Sequence, residues 1–135
     1  MTTAPPPLDR LLEVALYADE IDRSVEFYCR VLGFDVIAFD DRLTALGVAG
    51  QQVLLICRRG ASTALARGAH DTTGRQHIAF AVAAADLPAW ERRLVDTGVT
   101  VEYVREWPRG GRSVYFRDPD DHLIELASPG VWSIY

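Results

Sequence analysis

The order of predicted secondary structure occurs twice along the chain, and this internal repeat constrains the fold more than any other feature. Each copy contains a strand, a helix that ends at a glycine, and three further strands. The two glycines, Gly33 and Gly98, lie 65 residues apart. The segment EVAL, which begins at Glu13, aligns with HIAF, which begins at His77, at a separation of 64 residues. The recurrence of one unit in one order predicts two βαβββ modules.

Two such modules predict an α+β fold in which the strands of both modules form a cupped mixed sheet around one site. Strands are predicted over residues 11–17, 34–39, 43–48, 52–57, 76–82, 101–106, 112–117 and 122–127. The predicted organisation is an N-terminal tail (1–10), a first module (11–60), a linker (61–74), a second module (75–128) and a C-terminal tail (129–135).

Composition excludes several classes of partner. The net charge of −5 argues against a nucleic-acid ligand, because such ligands require a cationic surface. The longest apolar run, residues 78–85, is too short to span a bilayer, and the N-terminus has no secretion-signal pattern. Cys29 and Cys57 form no motif, which is typical of a reducing compartment. We therefore expect a cytoplasmic protein that binds a small molecule and contacts neither nucleic acid nor membrane.

A carboxylate lies in the middle of an apolar strand near the C-terminus. The phrase YFRDPDDHLIELASPG, residues 115–130, predicts a strand, a tight turn and a returning strand that carries Glu125. A carboxylate at such a position is costly unless a charged or hydrogen-bonded group compensates it. A metal ion is one such group.

Two further polar residues occupy matched places in the repeat. Glu13 lies in the first strand of module one, and His77 lies in the first strand of module two. Strand alternation places both on the face opposite the helix, beside the small residues Ala15, Ala79 and Ala81. The small side chains would leave room for a ligand, so Glu13, His77 and Glu125 are candidates for one metal site.

Each candidate also has an interpretation without a metal. Glu13 would then be a partly exposed residue at a strand edge, and His77 a hydrogen-bonded core histidine. Glu125 would pair with an arginine, or all three would form a metal-free Glu–His–Glu cluster. Tyr115 would be a half-buried aromatic residue on an alternating strand. The residues alone leave these alternatives open.

The chain resembles the vicinal-oxygen-chelate superfamily, which includes glyoxalase I, extradiol dioxygenases, fosfomycin-resistance transferases and bleomycin-binding proteins. Three phrases carry the resemblance: VALYADEIDRSVEFYCRVLGF, RQHIAFAV and YFRDPDDHLIEL. The resemblance implies that Glu13, His77 and Glu125 bind a divalent metal ion, whether Mn, Fe, Ni or Zn. It also implies that Tyr115 and Glu13 act in catalysis and that the protein forms a homodimer.

The resemblance implies a metal-dependent enzyme with dioxygenase, lyase or isomerase chemistry on a small oxygenated substrate. The alternative is a non-catalytic small-molecule binding protein of the bleomycin-resistance type. Two departures from the family pattern narrow the activity. Leu55, which the repeat aligns with Glu125 at a separation of 70 residues, occupies the fourth ligand position of glyoxalase I. Glu13 replaces one histidine of the dioxygenase triad.

Overall fold

The computed structural model describes residues 4–135, which form two four-stranded mixed sheets, each with one helix. The α+β fold with two βαβββ modules is therefore confirmed. Residues 1–3 of the predicted N-terminal tail lie outside the described residues. The elements are β1 (Glu13–Ala18), α1 (Ile21–Phe27), β2 (Asp35–Phe39), β3 (Leu43–Val48), β4 (Gln52–Arg58), β5 (His77–Ala81), α2 (Leu87–Asp96), β6 (Val101–Glu106), β7 (Arg112–Arg117) and β8 (Leu123–Ala127).

The two sheets have the same topology and the same register. Their strand orders are β1-β4-β3-β2 and β5-β8-β7-β6, and in each the first strand pairs in parallel with the last. Ala15 lies opposite Leu55 in the first sheet, and Ala79 lies opposite Glu125 in the second. Leu55 is therefore the structural counterpart of Glu125, as the repeat predicts.

Glycines end both helical segments. A π-helical turn, Tyr28–Leu32, continues α1 and stops at Gly33, whose φ is +75°. The second helix stops before Gly98, whose φ is +77°. Both glycines adopt the left-handed conformation that favours glycine at a helix C-terminus. Neither helix is long and apolar enough to cross a membrane, and no other helix within residues 4–135 is either.

The helix-packed faces of both modules share one hydrophobic core. Leu16 from the first sheet and Leu126 from the second are both almost fully buried in it. Phe27 of α1 contacts Phe116 of β7, with ring centroids 6.3 Å apart. Because these apolar faces pack against each other, the opposite faces, which carry Glu13 and His77, point away from this core, and both of these residues are exposed.

A set of buried hydrogen bonds joins the modules beside β1. The Gln76 side chain accepts from the Tyr17 N–H and donates to the Ala15 carbonyl, each at 3.1 Å. Nδ1 of His122 accepts from the Gln76 N–H at 2.8 Å, so the ring proton lies on Nε2 and is donated to the Tyr17 carbonyl at 2.7 Å. His122 is 1% exposed, and these bonds fix both its ring and its tautomer.

A second buried contact lies at the turn between β7 and β8. The Tyr28 hydroxyl donates to the Asp118 carboxylate at 2.6 Å, and the backbone N–H of His122 donates to the other Asp118 oxygen at 2.9 Å. Burial raises the pKa of Asp118, although these hydrogen bonds oppose the shift. The turn that precedes Glu125 is therefore tied to the first module.

The C-terminal tail packs closely against the turn between β6 and β7. Gly130 has a φ of +107°, and a Cβ atom at Gly111 would lie 2.5 Å from the Gly130 carbonyl carbon. No side chain fits between these two backbones, so both positions require glycine. This contact brings Trp132 of the tail beside Trp107 at the turn, with ring centroids 6.5 Å apart.

Candidate metal centre

The structure brings His77 and Glu125 together on the face of the second sheet that points away from the helix-packed core. His77 lies on β5 and Glu125 on the neighbouring strand β8. The His77 Nε2 atom lies 3.1 Å from Oε2 of Glu125. The other ring nitrogen, Nδ1, lies 2.9 Å from the Leu123 carbonyl oxygen.

The carbonyl contact determines where the ring proton lies. A carbonyl oxygen only accepts hydrogen bonds, so Nδ1 of His77 must carry a proton to donate to Leu123. In a neutral ring, Nε2 then presents a lone pair toward the lone pairs of Glu125 Oε2. Two acceptors at 3.1 Å repel each other unless a positive charge joins them. Either an imidazolium proton or a cation bound to both atoms would supply that charge.

Glu125 is a buried carboxylate without an arginine or lysine partner among the described residues. Its exposed fraction is 6%, and within residues 4–135 His77 is the partner of its ion pair. The Ser113 hydroxyl donates to its Oε1 atom at 2.6 Å. The arginine pairing considered from the sequence is therefore not observed in this part of the chain.

Tyr115 lies directly opposite Glu125 in the β7–β8 ladder. Its ring stacks on Tyr103 at a centroid distance of 4.1 Å and faces His77 at 6.3 Å. Burial, together with the nearby Glu125 carboxylate, raises the pKa of Tyr115 to about 12. The phenol is therefore neutral near pH 7 and is able to donate a hydrogen bond to an oxygen atom in the site.

Glu13 lies at the start of β1 and is exposed. Its carboxylate forms no hydrogen bond or ion pair within residues 4–135. Across the same residues, no group of three His, Cys, Asp or Glu side chains is arranged to hold a metal ion. One chain thus brings together His77 and Glu125 but not Glu13, and the assignment of Glu13 to the site stays a prediction.

Several site residues were not predicted from the sequence. Tyr103 and Arg105 lie opposite Tyr115 and Ser113 in the β6–β7 ladder, so they share the face that carries Glu125. Trp107 follows on from β6, and its indole N–H donates to Ser113 at 2.8 Å. The alternation of Tyr103, Arg105 and Trp107 along β6 was the signal that could have identified them.

The donor pair fits a divalent cation, although it is incomplete within one chain. An imidazole whose Nδ1–H is held by a backbone carbonyl presents Nε2 as a ligand, which is the usual arrangement at metal centres. A buried carboxylate oxygen at 3.1 Å provides the second donor. A typical catalytic metal site has three protein ligands, and within residues 4–135 the structure brings two of them together.

Comparison with known proteins identifies the family. The sequence profile of the Glyoxalase/Bleomycin resistance protein/Dioxygenase superfamily matches residues 10–126. This chain belongs to that superfamily. The match covers both modules and includes Glu13, His77, Tyr115 and Glu125. It confirms the resemblance noted from the three sequence phrases, and it leaves the reaction of this glyoxalase-superfamily protein undetermined.

Individual relatives in the superfamily carry the names of different activities. The chain is 47% identical over 57 residues to "Metallothiol transferase FosB" from Bacillus licheniformis, a match that spans 42% of this chain and 37% of the relative. It is 31% identical over 107 residues to "Catechol-2,3-dioxygenase" from Bacillus subtilis, which spans 78% of this chain and 36% of the relative. The matches thus span little more than a third of the length of these curated relatives.

A solved structure gives a fuller match. The fold is similar to that of lactoylglutathione lyase from Agrobacterium tumefaciens, with a TM-score of 0.86 and 28% sequence identity. The similarity covers 94% of this chain and 98% of that protein. The fosfomycin resistance protein FosX from Mesorhizobium loti has a TM-score of 0.65 at 23% identity, which supports the fold alone.

Proposed function

We propose that this chain is the subunit of a homodimeric, metal-dependent enzyme that acts on a small oxygenated substrate. The observation that carries the proposal is the contact between His77 Nε2 and Glu125 Oε2, two acceptors that only a proton or a cation could join. A bound Mn²⁺, Fe²⁺, Ni²⁺ or Zn²⁺ ion would act as a Lewis acid toward substrate oxygen atoms. Relatives named as a transferase, a dioxygenase and a lyase support enzymatic activity.

The third protein ligand in this proposal is Glu13 of a second copy of the chain. Its carboxylate is exposed and has no partner within residues 4–135, so it is free to reach another molecule. A second copy would also cover exposed apolar surface, which is extensive for a chain of this size. The exposed large apolar side chains include Leu8, Leu11, Leu12, Val36, Ile37, Phe39, Trp132 and Ile134.

Two carboxylates and one imidazole favour lyase or isomerase chemistry over O₂ activation, for which two histidines and one carboxylate are typical. Glu13 is the more mobile carboxylate, because Ser113 holds Glu125. Glu13 would therefore move a proton to or from the substrate, while neutral Tyr115 donates a hydrogen bond to a substrate oxygen. Unpaired Cys29 and Cys57 are compatible with a cytoplasmic location.

The decisive measurement is the metal content and metal affinity of the purified protein. After chelation and dialysis, wild type should bind about one divalent ion per chain, and His77→Ala should bind it at least about tenfold more weakly, because it loses a ligand. His70→Ala is the matched control, since His70 is a surface histidine that contacts Tyr17 and lies outside the pair. Equal affinity in all three proteins would overturn the site.

A second function remains if wild type binds none of these ions. Tyr103 and Tyr115 form a parallel stack with centroids 4.1 Å apart, and Trp107 lies on the same face. Flat aromatic surfaces suit the binding of an aromatic ligand without chemistry. A metal-free protein that binds aromatic compounds, and loses them on Tyr103→Ala substitution, would be the bleomycin-resistance-type binding protein.

We further predict little or no glyoxalase I activity, despite the similarity to a lactoylglutathione lyase. Leu55 occupies the position equivalent to Glu125 and provides no donor atom. Turnover of the methylglyoxal–glutathione hemithioacetal should be near background for wild type with each metal. Leu55→Glu should raise it, whereas the apolar control Leu55→Ile, which keeps the side-chain volume and adds no donor atom, should not. Efficient wild-type turnover would show that the fourth donor is dispensable.

A further inference from the structure

A chain of two hydrogen bonds ends on the Glu125 carboxylate. The indole N–H of Trp107 donates to Ser113 Oγ at 2.8 Å, and the Ser113 hydroxyl donates to Glu125 Oε1 at 2.6 Å. An indole N–H only donates, so Ser113 must accept this bond. The hydroxyl proton of Ser113 is thereby directed toward Glu125, and both bonds have one possible direction.

The surroundings of this chain of bonds keep it in place. Ser113 is fully buried, and Glu125 is nearly so, which limits competition from water. The Arg105 guanidinium lies over the Trp107 ring, 3.8 Å from its centroid. The backbone of Trp107 also donates to the Gly111 carbonyl at 2.8 Å, within the turn that the C-terminal tail covers.

We propose that Trp107 and Ser113 are positioning residues that preset Glu125 as a metal ligand. Their bonds occupy Oε1 and fix the rotation of the carboxylate, so that Oε2 stays directed toward His77. A carboxylate already oriented loses less conformational freedom when it binds an ion. The proposal rests on the metal site described above, and it assigns a role to a tryptophan that touches neither the ion nor His77.

The test compares Mn²⁺ affinity, measured by calorimetry, among variants of the 135-residue chain. Ser113→Ala should weaken binding about 10- to 100-fold, and Trp107→Phe by up to about tenfold, because the ring is kept but the N–H is lost. Trp90→Phe is the matched control. Its indole lies on α2, packs against the hydrophobic core and makes no hydrogen bond to Ser113, so the affinity of this variant should equal that of wild type.

The double variant distinguishes positioning from simple loss of stability. If Trp107 acts through Ser113, Trp107→Phe should cost no further affinity in a Ser113→Ala background. The visible absorption spectrum of bound Co²⁺ should also change in both single variants, because the orientation of a ligand changes, and it should stay unchanged in Trp90→Phe. If Ser113→Ala fails to fold, Trp107→Phe and its spectrum decide alone.

The results distinguish a failure of the positioning role from a failure of the metal site itself. If wild type binds metal and Trp107→Phe binds it with unchanged affinity and an unchanged Co²⁺ spectrum, the positioning role is overturned while the metal site stands. Additive losses in the double variant would also overturn it. If wild type binds no divalent ion, the proposed function and the positioning role both fail.

Discussion

Mixing two variants that each bind metal weakly should restore the tight metal binding that neither variant shows alone. Glu13→Gln protein keeps His77 and Glu125, and His77→Ala protein keeps Glu13. If each site combines Glu13 of one chain with the His77–Glu125 pair of the other, a hybrid dimer contains one intact site and one doubly broken site. The isolated hybrid should therefore bind about half as much metal as the wild-type dimer.

The experiment requires only that subunits exchange, for example by mild unfolding and refolding of a mixture. Differently tagged chains allow the hybrid to be purified before metal analysis. In the control mixture, Glu20→Gln replaces Glu13→Gln, because Glu20 is another exposed acid of the first module. The Glu20→Gln protein should bind metal by itself, before it is mixed with His77→Ala protein. If the purified dimer of one Glu13→Gln chain and one His77→Ala chain binds no metal, Glu13 does not act across two chains.

Replacement of His122 by leucine should strongly destabilise the protein. The change leaves the Gln76 N–H and the Tyr17 carbonyl without partners in a buried place. Each unsatisfied buried group costs about 1–3 kcal/mol, so the loss of both partners should lower the free energy of unfolding by about 2–6 kcal/mol. Urea unfolding followed by far-UV circular dichroism measures this directly.

His70→Leu is the control for that substitution, since it removes an exposed imidazole with one side-chain partner. It should lower the free energy of unfolding by less than about 1 kcal/mol. A His122→Leu protein as stable as the control would mean that water or a local shift satisfies both groups.

The fold could be predicted from the sequence because strand alternation and the glycines that end the helices recur in the same order in both modules. Strand alternation and glycine stops are local signals, and the structure confirms β3, β6 and β7 with the predicted bounds. The proximity of His77 and Glu125 followed from the same alternation, since both lie on the face away from the helix. The repeat also identified Leu55 as the counterpart of Glu125, which the register confirms.

Local sequence signals could not predict where Glu13 lies relative to His77 and Glu125. That placement depends on how the modules pack, and alternation does not reveal that their helix-bearing faces share one core. His122 was not among the predicted site residues, yet it is buried and joins the modules. Its partners, Gln76 and Tyr17, are distant in sequence, so no spacing pattern predicts the contact.

Gln76 helps to join the two modules, and it directly precedes His77, the residue that faces Glu125. Gln76 bonds to β1 through its side chain and to His122 through its backbone, and His77 is the next residue along the chain. A shift between the modules would therefore displace the imidazole. In a random-mutagenesis screen scored only by activity, substitutions at the junction would be mistaken for catalytic defects. A thermal-shift measurement for each inactive clone would distinguish substitutions that destabilise the junction from those that remove a catalytic group.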